Sequence, residues 1–330
     1  MKQLFLGFLS FVLLGAIACT ILVGWAVYAY KNKGPLAETK LVLIERGSGV
    51  NAIADKLKQE NIISHDILFK IFGRLPENLK AGEYEFPAHI SMADVIAKIE
   101  KGDVFDRKIT IIEGLTSYQI IKRLNARDDL AGEKITNIPA EGSLLPDTYQ
   151  FTTGETRQDK INQMQKAMTE TIDALWEKRN PNLPFKTKDE ALILASIIEK
   201  ETSVADERKK VAGVFVNRLR KNMLLQTDPT VIYAITKGKI QEEGKGPLGR
   251  RLLRKDLKID SPYNTYKYAG LPPGPIANPG RAAIEAALNP ARHDYIFFVA
   301  DGTGGHAFGK TLKEHNQNVQ KWRAIRKNSN

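Results

Sequence analysis

The sequence of 330 residues predicts an α+β protein with a single N-terminal transmembrane helix, a small α+β module and a larger mixed α+β domain. Three patterns predict it: a long apolar run near the N-terminus, repeated strand–turn–helix units after it, and amphipathic helices interspersed with turn-rich segments. We expect an N-terminal tail at 1–3, a transmembrane helix at 4–30, a linker at 31–39, the module at 40–105 and the larger domain at 106–330.

The N-terminal run contains no charged residue over 4–30. It exceeds the roughly 20 apolar residues that cross a bilayer as a helix, and Trp25, Tyr28 and Tyr30 close it with side chains typical of a membrane interface. A cleaved signal peptide would have a shorter apolar region of roughly 7–15 residues. The run therefore indicates an uncleaved anchor. Flanking charges do not decide its orientation, but long C-terminal domains are translocated largely regardless of them.

Composition limits the chemistry. The lone cysteine, Cys19, lies in the apolar run, so the remaining chain forms no disulfide and offers no cysteine nucleophile or cysteine-ligated zinc. The net charge of +11 favours anionic partners. An exported domain would not meet nucleic acid, so an anionic lipid or a cell-wall polymer is the better candidate, although the basic residues are dispersed enough to serve solubility alone.

In the module and just after it, short strands alternate with short helices. This pattern is typical of a unit that either binds a ligand or spaces the rest of the chain from the membrane. The predicted elements are a strand at Leu41–Glu45, a helix at Val50–Gln59, a strand at Tyr84–Phe86, a helix opened by Ser91 that runs to Glu100, a strand at Ile109–Glu113 and a helix at Tyr118–Asn125.

In the larger domain the helices are longer and more amphipathic. We expect helices at Asp159–Lys178, from a cap at Asp189 through Thr202, at Val211–Leu219 and at Leu312–Arg326, with a buried strand at Tyr295–Ala300. The segment from Gln226 to Pro275 is rich in turn residues and is predicted to be poor in helix.

The most informative segment is the apolar helix that ends in Glu199-Lys200-Glu201. A carboxyl held against aliphatic side chains keeps its proton to higher pH, as a general acid requires. At about 100° per residue, Glu201 shares a face with Leu194, Ile197 and Ile198, whereas Glu199 points nearly opposite. Glu201 is therefore the better candidate, unless both acids only mark the solvated end of a core helix.

The turn-rich loops carry side chains suited to a sugar groove. Tyrosine faces stack on pyranose rings, and amides and phenols bond hydroxyl groups; the candidates are Gln226, Tyr263, Asn264 and Tyr266. Each of them is also an ordinary turn or rim residue. His306 follows two glycines and is either a site residue or structural. The five histidines show no metal spacing, and no phosphate-binding loop is present, so we expect neither a metal nor a cofactor.

Six motifs in order resemble those of one family, the YceG-like (MltG) endolytic murein transglycosylases. They are Ala195–Thr202 (ASIIEKET), Val216–Leu219 (VNRL), Leu225–Tyr233 (LQTDPTVIY), Tyr263–Tyr266 (YNTY), Gly270–Ile276 (GLPPGPI) and Phe298–Gly302 (FVADG). The resemblance covers nearly the whole chain, including the anchor, and implies that 40–105 is a LysM-like module and 106–330 a catalytic domain.

The resemblance implies a lyase that cleaves the β-1,4 bond between N-acetylmuramic acid and N-acetylglucosamine in nascent peptidoglycan, leaves 1,6-anhydro ends and terminates glycan elongation. It makes Glu201 the single catalytic acid and implies no cofactor. Partners would be peptidoglycan glycan strands and peptidoglycan synthases, met on the periplasmic side of the inner membrane. Candidate substrate-binding residues are Glu199, Asn217, Gln226, Asp228, Tyr263, Asn264, Tyr266 and His306.

Two other functions stay open at this point. A hydrolytic muramidase would need a second carboxylate, for which Glu199 and Asp228 are the candidates, although helix-end solvation and loop capping are the favoured explanations of both. A non-catalytic peptidoglycan-binding scaffold would need none. A lytic transglycosylase requires only one carboxyl, because the C6 hydroxyl of the sugar acts as the nucleophile.

Overall fold

The computed structural model describes residues 2–74, 79–239 and 248–328. The chain divides into two compact units, one formed by Met1–Arg107 with Gln150–Gly154 and the other by Lys108–Tyr149 with Glu155–Asn330. Both mix helices with short strands, so the predicted α+β class is confirmed. The finer domain boundaries given above stay predictions.

The first unit begins with the apolar helix. Its elements are α1 (Lys2–Lys31), β1 (Lys40–Ile44), α2 (Val50–Gln59), α3 (Asp66–Phe72), β2 (Gly82–Phe86) and α4 (Met92–Lys101). Strands β1 and β2 are antiparallel, with Lys40 opposite Phe86 and Ile44 opposite Gly82. The bounds of α2 agree with the prediction, whereas the short α3 was not predicted.

Large side chains from the strands and helices form the core of this unit. Leu57, Phe69, Tyr84, Phe86 and Ile99 are fully buried. The helix α4 is bounded as the sequence predicts, because the Ser91 side chain accepts a hydrogen bond from the Asp94 N–H and Gly102 ends the helix at φ 72°. The strands and helices of this module therefore share one hydrophobic core.

Helix α1 is the one helix among the described residues that is long and apolar enough to cross a membrane, over Phe11–Lys31. No part of its most apolar stretch is buried in the protein, which suggests a membrane anchor. Its last turns contact the module, since the ring of Trp25 lies 5.1 Å from that of His65 and the ring of Tyr30 stacks 4.4 Å from that of Phe72.

Most of the helices belong to the second unit. In chain order the elements after α4 are β3 (Arg107–Thr110), α5 (Ser117–Asn125), β4 (Thr148–Phe151), α6 (Arg157–Trp176), α7 (Lys188–Glu201), α8 (Ala205–Arg220), α9 (Asp228–Thr236), a 3-10 turn (Asp256–Lys258), α10 (Arg281–Leu288), β5 (Phe297–Ala300), β6 (His306–Gly309) and α11 (Leu312–Asn328). Strands β3 and β4 form one two-stranded sheet and the antiparallel strands β5 and β6 another.

Several predicted boundaries are wrong for local reasons. The cap of α7 is Thr187 rather than Asp189, because Thr187 and Glu190 form a reciprocal capping box. Strand β3 ends three residues before Glu113, where the chain turns at Gly114 with φ 75°. Strand β5 is half-buried rather than buried.

Helix α9 was not predicted at all. It begins at Asp228 with Pro229 in its first turn, a position that tolerates proline because the missing N–H has no partner there. The β-branched residues that follow have low helix propensity, so the local sequence favours an extended segment. Burial of Thr230 and Val231 at 0 % exposure outweighs this preference.

Helix α7 lies at the centre of the second unit and packs against α6, α8, α9 and α10. Every residue from Ile193 to Ile198 is buried. The Ser196 hydroxyl donates to the Ile193 carbonyl (2.8 Å) and accepts from the Ile276 N–H (3.0 Å), which ties the proline-rich loop to the helix. The loop is therefore held against the C-terminal half of α7.

Candidate active site

Glu201 is the last residue of α7, and Thr202 continues in extended conformation. The carboxyl is half-buried and accepts a hydrogen bond at Oε1 from the Thr227 hydroxyl. Burial raises the pKa of Glu201, the Thr227 bond opposes that shift, and the neighbouring Asp228 carboxylate adds to it. The raised pKa lets Glu201 hold a proton at higher pH than an ordinary glutamate.

The Thr227 side chain is the hydrogen-bond donor to the Glu201 carboxyl. Thr227 occupies the N-cap position of α9, but its side chain makes no cap hydrogen bond; its hydroxyl donates to Glu201. The Thr227 N–H donates to the Thr265 hydroxyl oxygen (3.1 Å), and Thr265 lies 2.8 Å from the Thr230 hydroxyl. This buried threonine cluster fixes the donor in place.

Asp228 and Tyr266 form the neighbouring pair. The Tyr266 hydroxyl donates to Oδ1 of Asp228 at 2.6 Å. Burial and this aspartate raise the pKa of Tyr266 well above its ordinary value, and Glu201 contributes to the same shift. The phenol therefore stays protonated and keeps its hydrogen bond to Asp228.

A buried arginine provides positive charge near Glu201. Arg218 on α8 is only 7 % exposed, and its guanidinium donates to the carbonyls of Ile296 (2.7 Å), Leu224 (3.2 Å) and Leu225 (2.7 Å). Its charge counteracts the rise in the pKa of Glu201. The sequence prediction named its neighbour Asn217 instead. The signal that could have found Arg218 is its place shortly after the apolar, buried run Val211–Val216 of α8.

His306 is held near the same carboxyl by Glu207 of α8. The Glu207 carboxylate lies 2.7 Å from Nδ1 of His306 and accepts the His306 backbone N–H at 2.9 Å. The His306 ring also meets the Phe298 ring edge-on at 5.2 Å. His306 counteracts the raised pKa of Glu201, so the β5–β6 turn contributes to the site through this pair.

Three predicted binding residues bond the backbone instead of pointing into the site. Glu199 accepts the Gly280 N–H at the start of α10 (2.9 Å), which agrees with the helical wheel in separating it from Glu201. Asn217 donates to two carbonyls of the loop before β5. The buried Asn264 donates to the carbonyls of residues 257 and 259. Their roles toward a substrate stay predictions.

The other two predicted residues are Gln226 and Tyr263. Gln226 is exposed, has the unusual φ of 52°, and its side chain makes no hydrogen bond to any described residue. Such backbone strain in a non-glycine residue concentrates at functional sites. Tyr263 packs on Tyr233 with ring centroids 5.0 Å apart and belongs to a second group of side chains.

That second group centres on Glu141, a residue that no sequence pattern singled out. The Glu141 carboxyl accepts from the Ser117 N–H (2.7 Å) and from the Asn278 amide (3.0 Å). Burial raises the pKa of Glu141 to about 7. Nearby, a cavity of about 190 Å³ is lined by Lys200 and Tyr233 among others. Glu141 lies in a turn, and the periodic patterns that identify helices and strands do not extend to it.

In the parts of the chain that the structure describes, no group of three or more His, Cys, Asp or Glu side chains could hold a metal ion. The residues gathered at the end of α7 are instead a protonatable acid, a hydroxyl donor, a second carboxylate, a phenol and a guanidinium. Such a set can transfer a proton and stabilise developing charge. The fold and the site thus define an α+β protein with a candidate acid–base centre.

Comparison with known proteins gives the family. The model of the YceG-like family matches residues 42–321, and the chain therefore belongs to the YceG-like family. An endolytic murein transglycosylase from Bacillus subtilis is 36 % identical over 313 residues, covering 84 % of this chain and 83 % of the relative. One from Streptococcus pneumoniae is 29 % identical, covering 84 % of this chain and 57 % of its own length.

A solved structure also resembles this chain. The crystal structure of a YceG-like protein from Listeria monocytogenes is 33 % identical and superposes with a TM-score of 0.53. The similarity covers 85 % of this chain and 98 % of that one. The resemblance inferred from the six motifs is therefore confirmed over most of the chain.

Proposed function

We propose that this chain is an endolytic murein transglycosylase, a lyase that cuts the glycan strands of peptidoglycan and so ends their elongation. Its relatives from Bacillus subtilis and Streptococcus pneumoniae carry that name. The observation that carries the proposal is Glu201, a carboxyl of raised pKa held by Thr227 at the end of a buried helix. An acid so placed suits protonation of a leaving oxygen at neutral pH.

The proposed reaction needs one carboxyl and no water. Glu201 donates its proton to the glycosidic oxygen as the bond between that oxygen and C1 of N-acetylmuramic acid breaks. The C6 hydroxyl oxygen of the same sugar bonds to C1, and the Glu201 carboxylate takes the proton that this hydroxyl releases. The products are a 1,6-anhydro end and a free C4 hydroxyl, and Glu201 is protonated again.

The surrounding groups suit both halves of this cycle. Thr227 and the positive charge of Arg218 stabilise the carboxylate form of Glu201, whereas burial and Asp228 stabilise the protonated form. These opposing influences let one residue give a proton and then take one back. Tyr266 donates its only phenolic hydrogen to Asp228, so its oxygen can accept from a sugar hydroxyl, and the exposed Gln226 offers an amide.

A hydrolytic muramidase is the second candidate, and the place of Asp228 favours it. Asp228 is an exposed carboxylate close enough to Glu201 to raise its pKa. A carboxylate in that position could activate a water molecule or attack the sugar directly. Glu199 is less suited to this role, because its carboxylate accepts the Gly280 N–H on another side of the helix.

The catalytic assignment is tested by two matched substitutions on one helix. Glu201→Gln keeps the shape of the side chain but removes the acidic proton that the reaction transfers. Cleavage of purified glycan strands therefore falls by about a hundredfold or more. Glu199→Gln keeps an acceptor for the Gly280 N–H and retains most of the activity. Full activity in Glu201→Gln would refute the assignment. Loss of activity in both variants would show that Glu199 is also required and that the effect is not specific to Glu201.

We also propose that α1 anchors the protein in the inner membrane with the rest of the chain on the periplasmic side, where it acts beside peptidoglycan synthases. The apolar, exposed face of α1 supports the anchor. The strand–helix–helix–strand order of β1, α2, α3 and β2 supports a LysM-like wall-binding module in the first unit. A reporter that functions only in the cytoplasm, fused after Asn330, tests the orientation. Activity of that reporter would refute it.

A further inference from the structure

The short helix α3 has two opposite faces. Leu68 and Phe69 are buried in the core of the first unit, whereas Ile67 and Ile71 are 68 % and 58 % exposed. Residues four apart lie on one side of a helix, so these two isoleucines form a single apolar face. Removing aliphatic side chains from water is favourable, so contact of this face with an apolar partner would stabilise it.

The charged residues of α3 do not compete for that face. Asp66 pairs with Lys58 at 2.7 Å, and Lys70 pairs with Asp55 at 2.7 Å and with Asp66 at 3.0 Å. These pairs neutralise the polar side of the helix within the unit. What α3 presents outward is therefore the two isoleucines.

The position of α3 along α1 identifies the partner. Trp25 and Tyr30, near the end of the apolar helix, contact His65 and Phe72, which flank and end α3 at its two extremities. Aromatic residues at the end of a transmembrane helix lie at the level of the lipid headgroups. Both ends of α3 are thus held at that level.

Polar groups occupy the same region. A cleft of about 180 Å³ between the end of α1 and residues 62–65 is bordered by Tyr28 and Lys33 on one side and by Ser64 on the other. The ammonium groups of Lys31 and Lys33 have no carboxylate partner among the residues that the structure describes. Cations beside an apolar face are the combination that binds an anionic lipid surface.

We propose that α3 lies in the membrane interface, with Ile67 and Ile71 inserted among the lipid chains just below the headgroups. The inference rests on the proposed membrane anchor and adds a second point of contact to it. The two ring contacts hold the first unit against α1, but they leave α1 and the unit free to tilt together in the bilayer. Two contacts with the membrane, through α1 and α3, fix the orientation of the first unit relative to the bilayer.

The test uses the full chain in vesicles that contain phosphatidylglycerol, with Cys19 replaced by serine and a single cysteine introduced at Ile67, Ile71, Ile21 or Glu85. Each cysteine carries an environment-sensitive fluorophore, and a nitroxide placed high on the lipid chains quenches it. The Ile21 position reports on α1 itself, and the exposed, acidic Glu85 on β2 serves as the aqueous control.

We expect blue-shifted emission and strong quenching at positions 67 and 71, comparable with position 21, and neither effect at position 85. Quenching of the label at position 21 without quenching at positions 67 and 71 would refute the insertion of α3 into the membrane interface. It would leave the proposed anchor intact. Blue-shifted but unquenched labels at 67 and 71 would indicate a protein partner and would also overturn it. An unquenched label at 21 would refute the anchor itself.

Discussion

The Thr227 hydroxyl donates a hydrogen bond to Oε1 of Glu201, although Thr227 stands at the N-cap of α9. A threonine in that position ordinarily accepts a hydrogen bond from the first turn of its own helix. Here the Thr227 oxygen accepts no such bond, and its hydroxyl donates to Glu201 at the end of α7. Because this bond favours the carboxylate while burial favours the protonated acid, the pair sets the pH at which Glu201 loses its proton.

Replacing that hydroxyl should move the pH dependence of activity upward. Thr227→Val removes the donor that stabilises the carboxylate, so the pKa of Glu201 rises further. Since the general acid must be protonated, the alkaline limb of the kcat/KM profile moves to higher pH by up to about one pH unit. Thr169→Val, which removes a hydroxyl on the exposed side of α6, should leave the profile unchanged. An unshifted limb in Thr227→Val would contradict this role.

Replacing the neighbouring carboxylate should move the same limb the other way. Asp228 raises the pKa of Glu201 through its negative charge, so Asp228→Asn lowers it. The alkaline limb then moves to lower pH, and a displacement of about one pH unit lowers kcat/KM on that limb about tenfold. Movement in the same direction as that of Thr227→Val would show that Asp228 acts on the reaction by another route.

Ser196→Ala tests the tie between α7 and the proline-rich loop. Ser196 is fully buried, and its loss leaves the Ile276 N–H without an acceptor. An unsatisfied buried donor costs about 1–3 kcal/mol, so we expect the free energy of unfolding of the detergent-solubilised full chain to fall by that amount. Ser203→Ala, at an exposed position, should change it by less than about 0.5 kcal/mol.

Glu141 should make stability fall as the pH rises. Its pKa is raised to about 7 by burial, so the folded state keeps a proton that the unfolded state has already lost. This contribution is complete below the unfolded pKa near 4.5 and is lost as the pH passes 7. Denaturation of wild type and Glu141→Gln at about pH 5 and about pH 7.5 measures it.

Relative to wild type, Glu141→Gln should gain stability between those two pH values, by on the order of 2–3 kcal/mol, because the amide mimics the protonated acid and does not titrate. Glu177→Gln at the exposed end of α6 serves as the control. Parallel stability curves for wild type and Glu141→Gln would contradict the raised pKa.

The candidate acid could be predicted from the sequence because the signal is local. Glu201 follows a continuous run of aliphatic residues, and helical geometry alone separates its direction from that of Glu199. The structure agrees, since the two carboxyls bond Thr227 and Gly280 respectively. The bounds of α2 and α4 followed from equally local signals, namely periodicity and caps.

The surroundings of the acid could not be predicted in this way. Thr227 comes from the start of a helix that its β-branched residues and proline concealed. Arg218 bonds carbonyls of two separate loops, and Glu141 bonds groups that lie 24 and 137 residues away along the chain. Such contacts depend on tertiary packing, which no pattern within one segment encodes.

The mass of the cleavage products tests the central proposal most directly. Wild-type protein is incubated with purified glycan strands, and the new ends are analysed by mass spectrometry, with Glu201→Gln as the blank. We predict muramic acid ends one water lighter than reducing ends, because the C6 hydroxyl closes the anhydro ring. Reducing ends formed only in the presence of the wild-type protein would show hydrolysis and contradict the transglycosylase.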